Sequence, residues 1–374
     1  MRIAIISSSY PVDPHDSRNA GVFVRDFALR MARRGVEVTV LTPQRVRQAD
    51  PGIEVIPFRR TTPEASLTHL GARHPVDLGR MGLLMLAGIW TVVGTSRRRQ
   101  FDAILAMWAI PSGAFALANR FLFGTPYVVW ALGSDIWRAG DYPAGRWMLR
   151  RVLRGARSLY ADGTGLATEV ERIAGSPCTF LASSRDLPAP SEIPELERSL
   201  RHFLCVARFH PNKGVDVLVE AVARLPVSRR SGMRFHVFGG GPHETLLRSL
   251  IRQRGLEGVV TIGSYLSPGQ LAGYLRAVDW MIIPSRIESV PLILSDAAQA
   301  GRCVIVSDVG DMGELVRRHQ AGIVVPPEAP DDLARAILDA EARVGGCAGA
   351  RDLARELGLD RSVERFLTEV AQGR

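Results

Sequence analysis

Short apolar runs alternate with helical segments along this 374-residue chain. Runs such as RIAIIS, VEVTVLT, IEVIPF and FDAILAM have the length and apolar content of buried strands. The segments between them, such as VFVRDFALRMARRG, repeat apolar residues at helical spacing and end at a glycine. This alternation predicts a parallel sheet that is covered by helices on both faces.

The alternation breaks once and then starts again. The break, LASSRDLPAPSEIPELE, is rich in Ser and Pro and is typical of a connection between domains. A second series follows, with the apolar runs HFLCVARF, MRFHVFG, VVTIGS, DWMIIPS and RCVIVSD. Because the chain is also too long for one typical domain, we predict an α/β protein of two Rossmann-like domains, residues 1–182 and 183–350, with a cleft between them.

Composition indicates the cellular compartment of the protein but does not identify a binding partner. The chain has 47 Lys+Arg and 38 Asp+Glu, a net charge of +9, which attracts phosphorylated metabolites and anionic lipids alike. The cysteines have neither metal-ligand nor redox spacing, so we expect reduced, buried thiols; they are Cys178, Cys205, Cys303 and Cys347. The apolar N-terminal run is too short for a signal peptide. These features predict a cytoplasmic protein.

Two helical segments have the composition of surfaces that meet a membrane. Arginines at three- and four-residue spacing follow Arg146, with Trp147 and aliphatic residues between them, which predicts an amphipathic helix with a basic face. That face suits either solvent or the inner face of an anionic cell membrane. The run GLLMLAGIWTVVGT is shorter than the roughly 20 residues that cross a bilayer, and it predicts a buried or interfacial helix.

Residues suited to phosphate binding concentrate in the second half of the chain. The first strand runs into Ser-Ser-Ser-Tyr-Pro and not into G-x-G-x-x-G, so a dinucleotide cofactor is not expected. Gly21 still opens a helix where a substrate can approach the backbone. In the second half, Arg208 and Lys213 follow one strand, and Gly240 lies in the GGGP turn after the next. A guanidinium and an ammonium near a glycine turn form a suitable diphosphate clamp.

The segment PSRIESVPLILSDAAQAG carries two acidic residues, Glu288 and Asp296, on either side of a predicted helix start. The turn between them predicts unpaired N–H groups at that start, and it contains Ser289, Val290, Pro291 and Leu292. Carboxylates at these positions accept hydrogen bonds from sugar hydroxyls. They also complement the positive end of a helix, which is the purely structural interpretation.

These motifs resemble those of the retaining GT-B glycosyltransferases of family 4, also called glycosyl transferases group 1. PSRIESVPLILSDAAQAG is similar to the E-x7-E signature of that family. VARFHPNKG and FGGGPHE are similar to its Arg–Lys-Gly segment and its glycine-rich turn. In the first half, AGVFVRDFALRMARRG and TPYVVWALGSDIW are similar to its opening glycine loop and its Gly-Ser/Thr-Asp segment. The resemblance extends over essentially the whole chain.

The resemblance implies a GT-B fold, with the acceptor bound by the first domain and the nucleotide-sugar by the second. It implies that a last helix, residues 351–374, packs back on the first domain. Arg208 and Lys213 would hold the donor diphosphate, and Glu288 would contact the donor sugar beside the amides near Val290. Asp296, in place of the second glutamate, would bind the ribose hydroxyls. No metal and no cofactor beyond the donor is expected.

Two departures from the family pattern concern the first domain. Leu132 occupies a position that is often histidine in the family, which leaves Ser134 and Asp135 as acceptor-side candidates. The glycine pair of the opening loop is here Ala20-Gly21. We expect the diphosphate to approach the backbone at Gly21.

The combined prediction is a retaining glycosyltransferase that moves a sugar from a nucleoside diphosphate to an acceptor hydroxyl. Its acceptor would be a carbohydrate or a lipid-linked glycan of the cell envelope or an exopolysaccharide, and no nucleic acid partner is expected. A GT-B sugar-nucleotide epimerase or phosphorylase remains an alternative. So do a non-catalytic GT-B partner subunit and a periplasmic-type binding protein, which also has two α/β lobes.

Overall fold

The computed structural model of the chain describes residues 1–12, 21–47, 50–58, 75–137, 143–343 and 347–372. The chain divides into two compact units. Unit 1 contains residues 1–183 together with 359–374, and unit 2 contains residues 184–358.

Unit 1 is built on a seven-stranded sheet in which every neighbouring pair is parallel. Its strands are β1 (Arg2–Ser7), β2 (Glu37–Thr42), β3 (Ile53–Pro57), β4 (Ala103–Met107), β5 (Tyr127–Ala131), β6 (Ser158–Ala161) and β7 (Cys178–Phe180). They lie in the order β3-β2-β1-β4-β5-β6-β7. The order therefore reverses direction between β1 and β4, the point at which Rossmann-like sheets open a crevice for ligands.

Seven helices of unit 1 follow or flank these strands in the described part of the chain. They are α1 (Val22–Arg33), α2 (Pro75–Ser96), α3 (Ser112–Phe123), α4 (Ser134–Trp137), α5 (Pro143–Gly155), α6 (Thr164–Ala174) and α15 (Leu359–Gln372). The end of α3 shows how sequence determines a boundary. Gly124 has a φ of 73° and its N–H bonds back to the Arg120 carbonyl, a left-handed cap that favours glycine.

Unit 2 repeats the plan with six parallel strands. They are β8 (Arg201–Arg208), β9 (Met233–Gly240), β10 (Val260–Gly263), β11 (Trp280–Ile283), β12 (Cys303–Ser307) and β13 (Gly322–Val325). The order is β10-β9-β8-β11-β12-β13, so the reversal lies between β8 and β11. Phe203 and Phe235 stack at 4.9 Å between β8 and β9 within an apolar core.

Eight helices belong to unit 2 among the residues that the structure describes. They are α7 (Val215–Arg224), α8 (Val227–Arg230), α9 (Glu244–Gln253), α10 (Pro268–Ala277), α11 (Leu292–Gln299), α12 (Met312–His319), α13 (Pro330–Ala342) and α14 (Ala350–Glu356). A 3-10 turn at Pro211–Lys213 precedes α7. The two parallel sheets agree with the predicted α/β architecture of Rossmann-like domains.

The returning helix of the C-terminus is shorter than the sequence predicted. Residues 351–374 were expected to pack on the first domain, but the described helix that does so, α15, begins at Leu359. Its Phe366 lies 5.8 Å from Phe27 and 6.4 Å from Tyr160, ring centre to ring centre, in the core of unit 1. The chain leaves helical structure near Gly358, and α14 before it packs in unit 2.

The cysteines also differ from expectation. Cys303 and Cys347, 44 residues apart in sequence, form a disulfide between the start of β12 and the segment before α14. The prediction of reduced thiols is wrong for this pair, because the fold brings together two residues whose spacing carries no signal. Cys178 and Cys205 are free. Within the described ranges, no helix is both long enough and apolar enough to span a bilayer.

Candidate active site

The carboxyl ends of β8, β9 and β11 in unit 2 bring most of the predicted donor-binding residues to one edge of the sheet. Arg208 is the last residue of β8, and Lys213 ends the 3-10 turn that follows. Glu288 lies in the loop between β11 and α11. Because β8 and β11 are neighbours at the reversal of strand order, both loops begin at the same crevice.

Lys213 and Glu288 form a direct ion pair across that crevice. The Lys213 Nζ hydrogen-bonds the Glu288 Oε1, although the two residues are 75 positions apart in sequence. Their side chains are 21% and 15% exposed, so the pair is shielded from solvent but still accessible. The residue predicted to hold phosphate and the residue predicted to orient the sugar therefore lie in contact.

Two glycines allow the loops around this pair to approach each other closely. Gly214 has a φ of +63°, and a Cβ at its position would lie 1.9 Å from the Pro284 carbonyl oxygen. Gly310 has a φ of +54°, and a Cβ there would lie 2.2 Å from the Glu288 carbonyl oxygen. Any larger residue would push the backbone that carries Lys213 or Glu288 out of position.

Arg286 joins the same two loops through its side chain and its backbone. Its guanidinium donates to both carboxylate oxygens of Asp216, at 2.8 and 2.6 Å, and to the Pro211 carbonyl at 2.7 Å. Its backbone N–H donates to the Asn212 carbonyl at 2.8 Å. Burial alone would raise the pKa of Asp216, but the hydrogen bond and charge of Arg286 hold that pKa below its ordinary value.

Arg208 lies beside the glycine-rich turn on the other side of β8. The β8–β9 register pairs Arg208 with Gly240, and the Tyr265 hydroxyl donates to the Gly240 carbonyl at 2.7 Å. A Cβ at Gly240 would lie 2.8 Å from the Tyr265 ring, so the turn is closely packed. The Arg208 side chain is exposed and has no hydrogen-bond or ion-pair partner among the described residues.

The turn before α11 presents backbone groups at the same edge. Pro291 is the N-cap of α11 and supplies no side-chain cap, which leaves the first-turn N–H groups to other partners. The Val290 side chain is buried in the core. The Ser289 carbonyl accepts from the Asp311 N–H at 3.3 Å. Val290 therefore anchors the turn that leads to Leu292, the first residue of the helix.

Asp296 is not where a ribose-binding side chain was expected. It lies one turn inside α11, its side chain is 0% exposed, and Arg185 donates to both of its oxygens. Gln299 of the same helix donates to the Arg185 carbonyl at 2.9 Å and accepts from the Leu187 N–H at 3.0 Å. The structure thus corrects the prediction: the shorter aspartate fastens the segment around Arg185 to α11.

The candidates of unit 1 form a separate group at the edge of their own sheet. Gly21 is the N-cap of α1, and a Cβ at its position would lie 2.5 Å from the Ser9 carbonyl, so glycine is required by the chain's own backbone. Asp135 is buried and accepts from the Ala109 and Leu132 N–H groups. Burial raises its pKa to about 6. The Asp135 carboxylate is thus occupied by backbone N–H groups and does not face solvent, as a direct contact with an acceptor would require. Ser134, the other acceptor-side candidate, is exposed at the start of α4.

Two features of the site were missed by reading motifs. Lys213 is the sole lysine in the chain, and the other 46 of the 47 basic residues are arginine. Lys213 therefore carries the single side-chain amine of the sequence. Arg286 was also missed, because a sequence gives no indication that an arginine two positions before Glu288 pairs with Asp216.

Comparison with known proteins identifies the family of both halves of the chain. Residues 191–343 match the family model described as glycosyl transferases group 1, and residues 20–179 match a glycosyl transferase 4-like domain. The chain is 27% identical over 350 residues to an alpha-D-kanosaminyltransferase of Streptomyces kanamyceticus, covering 84% of this chain and 88% of the relative. It is 27% identical over 366 residues to a D-inositol 3-phosphate glycosyltransferase of Rhodococcus erythropolis, covering 90% and 82%.

Solved structures share the fold over the full length. A sucrose-phosphate synthase of Thermosynechococcus elongatus has a TM-score of 0.76 at 18% identity, with both chains fully covered. Anabaena HepE, solved in complex with UDP, has a TM-score of 0.74 at 17% identity, again with full coverage. WaaG, a glycosyltransferase involved in lipopolysaccharide biosynthesis, has a TM-score of 0.69 at 16% identity, covering 98% of this chain and 99% of its own.

The predicted family and fold class are confirmed, and these relatives do not favour the epimerase or the non-catalytic alternatives. The two family models together extend over most of the chain, each on one of the two parallel-sheet units. The chain belongs to the group 1 glycosyl transferases and is a glycosyltransferase with a GT-B fold.

Proposed function

We propose that this enzyme transfers the sugar with retention of anomeric configuration and that the Lys213–Glu288 pair is the centre of the site. The observation that carries the proposal is the contact of these two side chains at the reversal of strand order in unit 2. A carboxylate there orients sugar hydroxyls, and the adjacent ammonium meets a phosphate oxygen. The pair thus matches the junction between the two halves of a nucleotide-sugar.

The proposed chemistry is stabilisation of the leaving group. As the bond between the anomeric carbon and the phosphate oxygen stretches, negative charge builds on the departing diphosphate. Arg208, Lys213 and the N–H groups at the start of α11 would interact more strongly with that charge than with the ground state. Glu288 would hold the donor sugar and would not act as a covalent nucleophile.

The sole lysine makes this proposal directly testable. An amine-selective reagent can modify only Lys213 and the α-amino group, so mass spectrometry reports the occupancy of the site without mutation. We expect a nucleoside diphosphate or its sugar to protect Lys213 and to raise the melting temperature in a ligand panel. A ligand that stabilises the protein while Lys213 remains equally reactive would contradict the assignment.

Retention and metal independence are tested with the donor found in that panel. The anomeric coupling in the NMR spectrum of the product glycoside should match that of the donor. We expect transfer to continue in the presence of EDTA, since two cationic side chains supply the charge that a divalent ion supplies in other sites. An inverted product, or activity that returns only with added metal, would contradict these two parts of the proposal.

For the acceptor, we propose a hydroxyl of a carbohydrate or lipid-linked glycan in cell-envelope or exopolysaccharide assembly. One relative is named for D-inositol 3-phosphate, and one structural neighbour is named for lipopolysaccharide biosynthesis. Ser134 and Asp135 are the acceptor-side candidates, with Asp135 acting through the loops that it holds. No nucleic acid partner is proposed.

We further propose peripheral contact with the inner face of an anionic cell membrane. Between residues 78 and 161 the chain carries eleven arginines and three aspartates, so most of the net charge of +9 comes from this stretch. On α5, Arg146 and Arg150 are exposed with no side-chain partner among the described residues, and Trp147 between them is 63% exposed. A helix with aromatic and basic residues on one face is typical of membrane-surface contact.

Exposed apolar side chains at the end of α3 extend this surface. Phe121 and Leu122 are 69% and 61% exposed, and the Arg151 guanidinium lies 5.9 Å from the centre of the Phe121 ring. Neither α3 nor α5 contains an acidic residue. Exposed apolar side chains among free cations combine the two attractions that bind peripheral proteins to anionic lipid.

Co-sedimentation with vesicles tests the membrane proposal. We expect binding to phosphatidylcholine vesicles that contain phosphatidylglycerol, weaker binding at high salt, and little binding to phosphatidylcholine alone. Phe121→Ser should weaken binding, while Leu246→Ser on α9, where the leucine is 54% exposed, should not. Absence of binding at low salt would contradict the proposal.

A further inference from the structure

A groove at the edge of unit 1 combines exposed apolar side chains with one arginine. It has a volume of about 720 Å³, within the roughly 300–1,000 Å³ range of small-molecule sites. We call it the apolar groove, and it is lined by Arg45, Pro57, Phe58, Leu83, Leu86, Ala87 and Trp90. None of these residues belongs to the site in unit 2.

The groove lies at the carboxyl edge of the unit 1 sheet, beside the edge strand β3 and its neighbour β2 and away from the reversal between β1 and β4. Pro57 is the last residue of β3, and Arg45 follows the end of β2, so one wall is formed at the carboxyl edge of two neighbouring parallel strands. The Phe58 N–H donates to the Thr42 carbonyl at 2.8 Å, and the Phe58 ring packs edge-on against Phe115 at 5.6 Å. The base of the groove is therefore fixed in the core.

The opposite wall is one face of α2. Leu83, Leu86 and Trp90 recur at helical spacing and are 54%, 69% and 68% exposed. Single exposed apolar residues are ordinary, but three large ones together beside a groove mark a binding surface. Between Asp77 and Asp102 the chain contains no acidic residue, so this wall carries no negative charge.

Arg45 supplies the only charged side chain that lines the groove in the described part of the chain. It is exposed and makes no hydrogen bond or ion pair with any described residue. A cation at one end of an apolar groove fits a ligand with an anionic group at the end of an apolar chain. A neutral or cationic amphiphile would leave that guanidinium without a partner.

The groove also adjoins the surface proposed to meet anionic membrane. Trp90 and Arg97 are seven positions apart and lie on one side of the α2 end. The Asn119 amide donates to the Ser96 hydroxyl at 2.6 Å, which joins the end of α2 to the end of α3. The helix that forms one wall of the groove is therefore bonded at its end to the helix that carries Phe121.

We infer that the apolar groove binds the hydrocarbon chain of an amphiphilic acceptor and that Arg45 pairs with the phosphate attached to that chain. This inference rests on the proposed function, since it selects the lipid-linked class among the acceptors considered there. The ligand class is an alkyl or isoprenoid chain carrying a phosphate and, beyond it, the acceptor hydroxyl.

Calorimetric titration with decyl phosphate below its critical micelle concentration tests the inference on the full chain. We expect saturable binding of one molecule per chain. Decanol and decyltrimethylammonium should bind at least about tenfold more weakly, and inorganic phosphate should not saturate. Equal binding of the cationic probe, or saturation by phosphate alone, would overturn the assignment.

Matched variants locate the binding. Leu83→Asn should raise the dissociation constant for decyl phosphate about tenfold, whereas Leu246→Asn, at the same 54% exposure in unit 2, should not. Arg45→Gln should remove the preference for decyl phosphate over decanol, while Arg47→Gln, which does not line the groove, should keep it. An unchanged affinity in both groove variants would overturn the inference.

Other occupants give distinct outcomes. If the wild type binds anionic vesicles but not monomeric decyl phosphate, the surface contacts membrane and the groove holds no chain. A dimer in sedimentation that Leu83→Asn dissociates would identify a second copy of the chain as the occupant. Both results overturn the inference. In every variant, the rise in melting temperature on adding nucleotide reports binding at the donor site. Loss of decyl phosphate binding with this rise unchanged would contradict the groove inference alone, whereas loss of the rise would contradict the proposed donor site.

Discussion

At the carboxyl edge of the unit 2 sheet, two ion pairs join residues that are distant in sequence, whereas Asp135, the acceptor-side candidate of unit 1, is held by backbone hydrogen bonds. Lys213–Glu288 and Arg286–Asp216 connect the loops after β8 and β11. In unit 1, Asp135 accepts only backbone N–H groups in the contacts described for its carboxylate, and the apolar groove lies at the carboxyl ends of β2 and β3.

The different side chains at the two sheet edges indicate that the same type of strand order can bind two kinds of ligand. Both sheets reverse their order next to the first strand of the unit, so topology supplies a crevice in each. Charged groups fixed in unit 2 suit a diphosphate, whose charge must be met by preorganised partners. Exposed apolar side chains in unit 1 suit a ligand held mainly by removal of hydrocarbon from water.

The largest predicted effect is on the rate of sugar transfer, for variants of the Lys213–Glu288 pair. Lys213→Ala and Glu288→Ala should each lower the transfer rate about 100-fold or more, because each removes a group held at the reacting end of the donor. Lys213→Arg should also be impaired, since a planar guanidinium does not replace a compact ammonium in a shielded pair. Transfer rates with the donor identified by thermal shift measure the effect.

Arg224→Ala provides the control for these variants, because it breaks an exposed ion pair with Asp331 in the same unit. It should leave the rate nearly unchanged. Near-normal transfer by Lys213→Ala would place the reacting end of the donor elsewhere.

The next prediction concerns Asp296, a buried carboxylate of unit 2 that we expect to stabilise the fold and not to bind the donor. Asp296→Ala should reduce the free energy of unfolding by about 3 kcal/mol, because it removes the fully buried carboxylate that pairs with the mostly buried Arg185. Urea unfolding measures the loss, and a nucleotide titration of the folded fraction measures affinity. A variant with normal stability and weakened nucleotide binding would restore the ribose role that the sequence suggested.

Glycine variants should show that close loop contacts matter more in the crevice than on open surfaces. Gly214→Ala should cost about 1–3 kcal/mol, since its positive φ and the Pro284 carbonyl both exclude a Cβ. Gly258→Ala meets no atom within 4 Å and should change stability by well under 1 kcal/mol. Equal melting temperatures for the two variants would show that the loop adjusts freely.

The smallest effect is an opposite pH response of the two units. Burial lowers the pKa of His236 from 6.5 to about 4. As pH falls, this histidine is therefore protonated in the unfolded chain before it is protonated in the folded one. The free energy of unfolding of unit 2 should fall by about 1–2 kcal/mol between pH 7 and pH 5. Burial raises the pKa of Asp135 to about 6, so the folded state retains its proton longer and unit 1 gains stability as pH falls from about 6 toward 4.

Hydrogen exchange resolved by peptide can follow each unit separately across this range. The His236→Gln variant should flatten the response of unit 2 and leave that of unit 1 unchanged. If the stability of both units changed in the same direction with pH, the predicted difference between them would be wrong.

Local sequence patterns were sufficient for most of the strands and helices and for their order, although β7, α12 and α13 were not predicted. The helix at Thr164–Ala174 has the bounds that its spacing predicted, and Gly124 ends α3 where expected. The clustering of Arg208, Lys213 and Glu288 at one edge also followed from sequence, because residues after neighbouring parallel strands share an edge. By contrast, the break near Gly358 was missed, since both sides of it have helical spacing.

The amino-acid sequence by itself determined two Rossmann-like units, the glycosyltransferase family and the loops that carry the site, because these depend on patterns of period and on local motifs. Only the tertiary structure decided which side chains meet: that Lys213 pairs with Glu288, that Asp296 is buried against Arg185, and that Cys303 reaches Cys347. The physical reason is that such contacts arise between residues far apart in sequence, where the packing of whole elements sets the distance and no local pattern records it.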